Sequence, residues 1–231
     1  MTCVAAKRIV LLDDPDCRPE EPWMEFRLTY RGPLRAMQED PAPGQPDRRS
    51  GHKHTIRREF HRQLRRLWSD TPFLATGERS GPGAILEETG GDIVDYRAAV
   101  LAEKHKHLQF KLVPLVTAEL KLLCGLDILF LRPDLPRRVL WAGDIDNRLK
   151  TLFDALRKPS PEEFQPYQYP PPAPDEAPFY CLLEDDRLIM KVAVETDQFL
   201  DFTGADQAEV LVVITVTLRP YDVSFSNLQF T

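Results

Sequence analysis

The sequence predicts an α/β fold of the mixed, α+β kind, with a mixed β-sheet flanked by helices and long loops inserted between elements. Three observations predict it. Apolar runs of period two alternate along the chain with apolar runs at helical spacing. Stretches rich in Gly and Pro punctuate them. The chain has 231 residues, 42% of them apolar, which is enough for one good-sized domain with a real core.

The elements follow in order. Met24-Glu25-Phe26-Arg27-Leu28-Thr29-Tyr30 alternates apolar and polar, as a half-buried strand does, and Gly32-Pro33 ends it. Residues 38–52 carry loop chemistry. Over residues 54–68 the period changes: Ile56, Phe60, Leu64 and Leu67, with Trp68 beside them, form an apolar helical stripe. Arg58, Arg62, Arg65 and Arg66 occupy its outer side, which makes them the candidate nucleic-acid contacts or an ordinary solvated face. His52 and His54 fall ahead of that helix, so a three-histidine metal site with His61 is not expected. Residues 76–93 are Gly-rich and acidic, a loop. Tyr96–Lys104 suits a short helix, and Gln109–Val116 and Glu119–Leu131 suit two strands. In the second, Leu122, Cys124, Leu126, Ile128 and Phe130 share a face. His105-Lys106-His107 falls where loop meets strand, and a surface or phosphate-contacting role is expected there.

A helix begins near Asp144, with Leu149, Leu152, Phe153 and Leu156 as its buried stripe. Residues 158–181 are Pro-rich and predict an extended ordered loop or a flap. Tyr167, Tyr169, Phe179 and Tyr180 within it could stack on unpaired bases or anchor the loop to the core. Arg187–Asp197 and Glu209–Leu218 are two more strands, and the turn chemistry of residues 198–208 suits antiparallel neighbours. No repeat and no firm domain boundary is visible, so a single domain spanning 1–231 is expected.

Composition excludes several classes. No apolar run approaches the roughly 20 residues of a membrane helix, and no signal peptide is expected. Cys3, Cys17, Cys124 and Cys181 are scattered without a C-x-x-C pair, which argues against a thiolate metal site and suits free thiols in the cytoplasm. The net charge of −6 counts mildly against a nucleic-acid binder, although bound cations would offset acidic metal sites. No phosphate-binding loop, G-x-S-x-G elbow or H-E-x-x-H motif is present.

Two acidic clusters carry the chemistry: Gly143-Asp144-Ile145-Asp146-Asn147-Arg148-Leu149-Lys150 and Glu184-Asp185-Asp186. With Asp144 as N-cap, Asp146 and Asn147 fall in the first helical turn, where free N–H groups and the helix dipole favour ionised carboxylates. Lys150 follows one turn on, and its side chain leans back toward the same place. If the second cluster lies beside that helix, its carboxylates converge with the first, and hard divalent cations such as Mg²⁺ suit such a set. Each cluster read alone suits a helix cap or a solvated turn better than a catalytic site.

These residues resemble the RusA-like Holliday-junction resolvases, whose D-x-D-N-x-x-K-x-x-x-D-A-L segment opens a helix ahead of a D-D pair before a strand. Here the matching residues are Asp144, Asp146, Asn147, Lys150, Asp154-Ala155-Leu156 and Asp185-Asp186. The resemblance implies metal-binding roles for Asp144, Asp146 and Asp186 and an essential lysine at Lys150, with Asn147, Asp154 and Asp185 in support. It implies an Mg²⁺-dependent (Mn²⁺ as a possible substitute) endonuclease, a homodimer that cuts branched DNA such as Holliday junctions. Relative to typical members the chain adds an N-terminal stretch and insertions near 70–108 and 158–182. Two other readings stay open: a RusA-like module that binds nucleic acid or protein without cutting, and a metal-dependent nucleotidyl or phosphoryl transferase.

Overall fold

The computed structural model describes residues 24–35, 48–76, 95–133, 145–164, 171–202, 206, 208–224 and 226–230. Asp144, Tyr167, Tyr169, Cys3, Cys17 and most of the loops expected at 38–52 and 76–93 lie outside the described residues.

The fold is α+β, with two sheets and four α-helices among the described residues. The larger sheet joins β1 (Met24–Pro33), β4 (Leu122–Arg132), β6 (Ile189–Gln198) and β7 (Glu209–Pro220) in the order β1-β7-β4-β6. β7 pairs antiparallel with both β1 and β4, and β4 pairs parallel with β6. The smaller sheet runs β2-β3-β5, from β2 (Lys106–His107), β3 (Phe110–Val116) and β5 (Phe179–Leu183), with β3 and β5 parallel. The helices are α1 (Arg48–Asp70), α2 (Pro72–Thr76), α3 (Ala98–Lys104) and α4 (Ile145–Leu156).

Alternation places the core. Leu122, Cys124, Leu126, Ile128 and Phe130 of β4 are buried, as are Val210, Val212, Ile214, Val216 and Leu218 of β7. They share one cluster with Ile56, Phe60, Leu64 and Trp68 of α1 and with Leu152 and Leu156 of α4, so both helices cover the same sheet face. A smaller cluster of Phe110, Leu112, Phe164, Phe179 and Cys181 sits with the second sheet.

The structure corrects three expectations. The strands over Arg187–Asp197 and Glu209–Leu218 are not hydrogen-bonded neighbours, because β4 lies between them. β4 carries the most continuous buried face, and the middle position buries it on both flanks. β6, with Lys191, Glu195 and Asp197, is left at the edge. Next, α1 starts at Arg48, so His52 and His54 are helical. Burial of Ser50 and His54 extends the helix beyond its apolar periodicity. Last, the Pro-rich segment ends in strand β5, where Phe179 is buried.

α1 therefore has a second buried stripe, and it is polar: Ser50, His54, Arg57 and His61. Arg57 is 1% exposed. Its guanidinium donates to the Asp154 carbonyl at 2.6 Å, the Arg157 carbonyl at 3.3 Å and Glu163 Oε2 at 2.7 Å. The first two are carbonyls at the end of α4, where a cation suits the helix dipole. The third lies in the 3-10 turn Pro161–Phe164. Arg157 donates to the other Glu163 oxygen at 3.1 Å. Glu163→Ala would remove the carboxylate that meets the buried Arg57 charge. Denaturant unfolding should show a loss of about 3–5 kcal/mol, and the double variant Arg57→Met/Glu163→Leu should recover part of it.

Candidate functional site

α4 sets Asp146 and Lys150 one turn apart, both exposed, with Asn147 half-buried and Arg148 buried between them. Asp146 Oδ1 accepts the Asn147 N–H at 2.7 Å. Thr151 Oγ1 donates to the carbonyls of Arg35 (3.2 Å) and Asn147 (3.1 Å), or to either in turn, which ties the middle of α4 to the chain leaving β1.

The second cluster is a capped turn. Asp185 Oδ1 accepts the Arg187 N–H at 3.0 Å, which opens the 3-10 turn Asp186–Leu188. The Arg187 guanidinium grips both Asp185 oxygens at 2.9 Å. These hydrogen bonds from Arg187 hold the Asp185 carboxyl well below the usual carboxylate range. Asp185 is thus engaged in shaping the turn, while Asp186, its first residue, is exposed. This turn packs against α4, the helix that carries Asp146 and Lys150.

The other predicted residues fall elsewhere. Asp154 lies two turns beyond Asp146, paired with Lys53 at 2.5 Å and Arg157 at 3.1 Å. Its contacts belong to the anchoring network around Arg57. Arg58 pairs with the buried Glu176, and Arg65 donates to the Asp175 carbonyl at 2.9 Å. Arg62 and Arg66 pair with Glu59 and Asp70 of their own helix. Half of the basic outer face therefore holds the Pro-rich segment in place.

Among the described residues no three His, Cys, Asp or Glu side chains gather as a metal-binding group. Asp144, the remaining acid of the D-x-D pair, is outside them. Asp146 and Asp186 supply exposed carboxylate oxygens, and hard donors of that kind fit Mg²⁺, a cation that keeps several of its waters.

An open cleft of about 470 Å³ adjoins the capped turn, lined by Ala118, Lys158, Glu184, Asp185, Arg187 and Leu188. Lys158 Nζ lies 3.1 Å from Glu184 Oε1 and 3.2 Å from His105 Nδ1. Burial alone would raise the Glu184 carboxyl, but the Lys158 hydrogen bond and charge outweigh it and lower it. Burial and the Lys158 charge lower His105, so its neutral ring accepts from the ammonium. This corrects the surface role expected for His105, whose side chain is 9% exposed. Sequence reasoning missed Lys158, His105 and Arg187 as neighbours of the acids. Only the adjacency of Arg187 to the D-D pair was a local signal.

His54 and His61 are structural. Both rings stack on Phe179. His61 Nδ1 accepts the Tyr180 N–H at 2.9 Å, so Nε2 donates to the Asp175 carbonyl at 3.0 Å. Phe179 and Tyr180 thus anchor the Pro-rich segment to α1. No helix among the described residues is long and apolar enough to cross a membrane. No family model matches this chain, and neither does any curated protein or solved structure.

Burial, helped by the Arg57 charge, lowers His54 to about 4. The fold favours the neutral ring, so the unfolded chain binds the proton first as pH falls. Stability from His54 is complete above the unfolded value near 6.5 and is lost toward about 4. Burial would raise Glu163, yet the Arg57 charge and hydrogen bond lower it to about 2, which puts its own loss between about 4.5 and 2. Unfolding free energy should fall by up to about 3 kcal/mol across the histidine window. His54→Leu should flatten the slope there and leave the acid limb intact.

Proposed function

We propose that this chain is a RusA-like, Mg²⁺-dependent endonuclease, with Mn²⁺ able to substitute, acting in the cytoplasm as a homodimer on branched DNA such as four-way junctions. One observation carries the reading. α4 packs against the Asp186–Leu188 turn although the whole Pro-rich segment separates them in sequence. The described parts of that segment pack on α1 and at the C-terminal end of α4, through Glu163, Asp175 and Glu176. They do not separate α4 from the turn.

In this reading Asp144, Asp146 and Asp186 hold the metal. An ion held there would supply an activated water and positive charge to offset that developing on the phosphate. Lys150 meets the scissile phosphate as a point charge from the same helix face. Asp185 acts through Asp186, by fixing the turn that presents it. Asn147 steadies the first turn of α4, and Asp154 anchors its other end. Arg62 and Arg66, outermost on α1, meet flanking phosphates, and Arg58 and Arg65 do so while holding the segment.

A purified four-way junction should be cut when Mg²⁺ or Mn²⁺ is added, and Asp146→Asn should lower cutting by at least about a hundredfold. Metal-independent cutting, or cutting unchanged in that variant, would sink the proposal. Tight junction binding without any cutting would favour the non-cleaving module. Stabilisation by nucleoside triphosphate with Mg²⁺, but not by DNA, would favour the transferase.

Asp185→Asn tests the positioning role. Mn²⁺ affinity should weaken about tenfold to a hundredfold, while the far-UV circular dichroism stays unchanged. Arg187→Ala should move metal affinity in the same direction. Unchanged affinity in both variants would remove Asp185 from the site.

A further inference from the structure

β6 is exposed on both faces. Every residue from Met190 to Asp197 is exposed, although the strand is ten residues long and hydrogen-bonded to the central strand β4. Its other edge has no strand partner among the described residues. Such an edge is a template for another strand. On the side covered elsewhere by α1 and α4, it presents Val192 at 44% and Val194 at 36% exposure, and Met190, 45% exposed, is the extra residue of a bulge where β6 enters the sheet. On the opposite side it presents Lys191, Ala193, Glu195 and Asp197.

We propose that β6 is the dimer interface, pairing antiparallel with β6 of a second copy about a two-fold axis through Ala193. The commitment to a second copy rests on charge. An axis at Ala193 normal to the sheet sets Lys191 of each chain opposite Glu195 of the other. It sets Val192 opposite Val194 on the other face, and each match occurs twice. Charges on an edge strand ordinarily block pairing with foreign strands. Here the same charges become complementary when the strand meets itself in reverse. Lys191 already lies 3.0 Å from Asp127 of β4, so the second chain's Glu195 completes an alternating row of charges across the sheet. The two four-stranded sheets become one of eight strands.

The inference supplies the contact surface for the homodimer proposed above, and the pairing itself does not rest on the nuclease reading. Because the axis is normal to the sheet, both α4 helices and both Asp186 turns belong to one side of the joined sheet.

Sedimentation equilibrium of the full chain should give a species of twice the 26.5 kDa chain mass. Lys191→Glu and Glu195→Lys should each weaken association by at least about tenfold. The double variant, which restores opposite charges in the same register, should return to near the wild-type dissociation constant. Both side chains exchanged are exposed, and unchanged far-UV circular dichroism checks that the fold persists. A monomeric wild type overturns the interface, and so does a dimer indifferent to both single reversals. Junction cutting by a monomer would overturn this interface and the homodimer while leaving the nuclease chemistry standing, whereas an intact dimer that cuts nothing would overturn the nuclease reading alone.

Discussion

The fold turns on a buried guanidinium. Arg57 holds three separate pieces of chain at one point: α1, the end of α4 and the 3-10 turn Pro161–Phe164. A charge taken out of water costs several kcal/mol unless it is neutralised and fully hydrogen-bonded. Glu163 neutralises it, and the carbonyls of Asp154 and Arg157 each accept a further N–H. The arrangement is specific because the compensation comes from three elements at once. α4 cannot slide along α1 without leaving the charge uncompensated, so its opposite end, with Asp146 and Lys150, is held in place by contacts at Asp154 and Arg157. Lys53 and Arg157 around Asp154 extend the network on the same side.

Much of the fold was legible because periodicity reports burial. β1, β4, β7 and the apolar stripes of α1 and α4 all follow from residue spacing, and each strip meets the core as its spacing requires. The polar stripe of α1 was hidden by residue type. Ser50, His54, Arg57 and His61 have helical spacing, but polar side chains read as solvated, and Arg57 is hidden beside four other arginines. The burial of Arg57 and His61 depends on partners more than 95 residues away in sequence, Glu163 and Tyr180. The order of the large sheet was hidden for a different reason. A short connection favours neighbours, but it does not oblige them. Burying both flanks of β4 outweighed the local preference of the 198–208 join.

The site was legible only where its residues are local. Asp146, Asn147 and Lys150 occupy one helix, so their relation follows from helix geometry alone. In the second cluster, spacing and residue type alone do not distinguish the two aspartates, and only the family resemblance assigns them different roles. Arg187 distinguishes them physically, since its backbone N–H and guanidinium engage Asp185 and leave Asp186 facing solvent. The cleft beside them joins Lys158 and His105, 53 residues apart, to Glu184, and no spacing rule anticipates such a meeting.

Position along the chain couples the capped turn to the sheet edge. Asp186 opens the turn and Ile189 begins β6 directly after it, so no flexible linker separates the proposed metal ligand from the proposed interface. The bulge of β6 at Met190, opposite Cys124 and Gly125 of β4, lies where β6 enters the sheet, and it sets the register with which the turn is delivered. An edge strand hydrogen-bonded on one side only is the part of a sheet with the least to hold it. Pairing with a second copy would hold it on both sides, and would thereby steady the turn that presents Asp186. In the proposed dimer a two-fold substrate would meet two acidic turns on one side of a continuous sheet, each fixed by the same strand that would join the two chains.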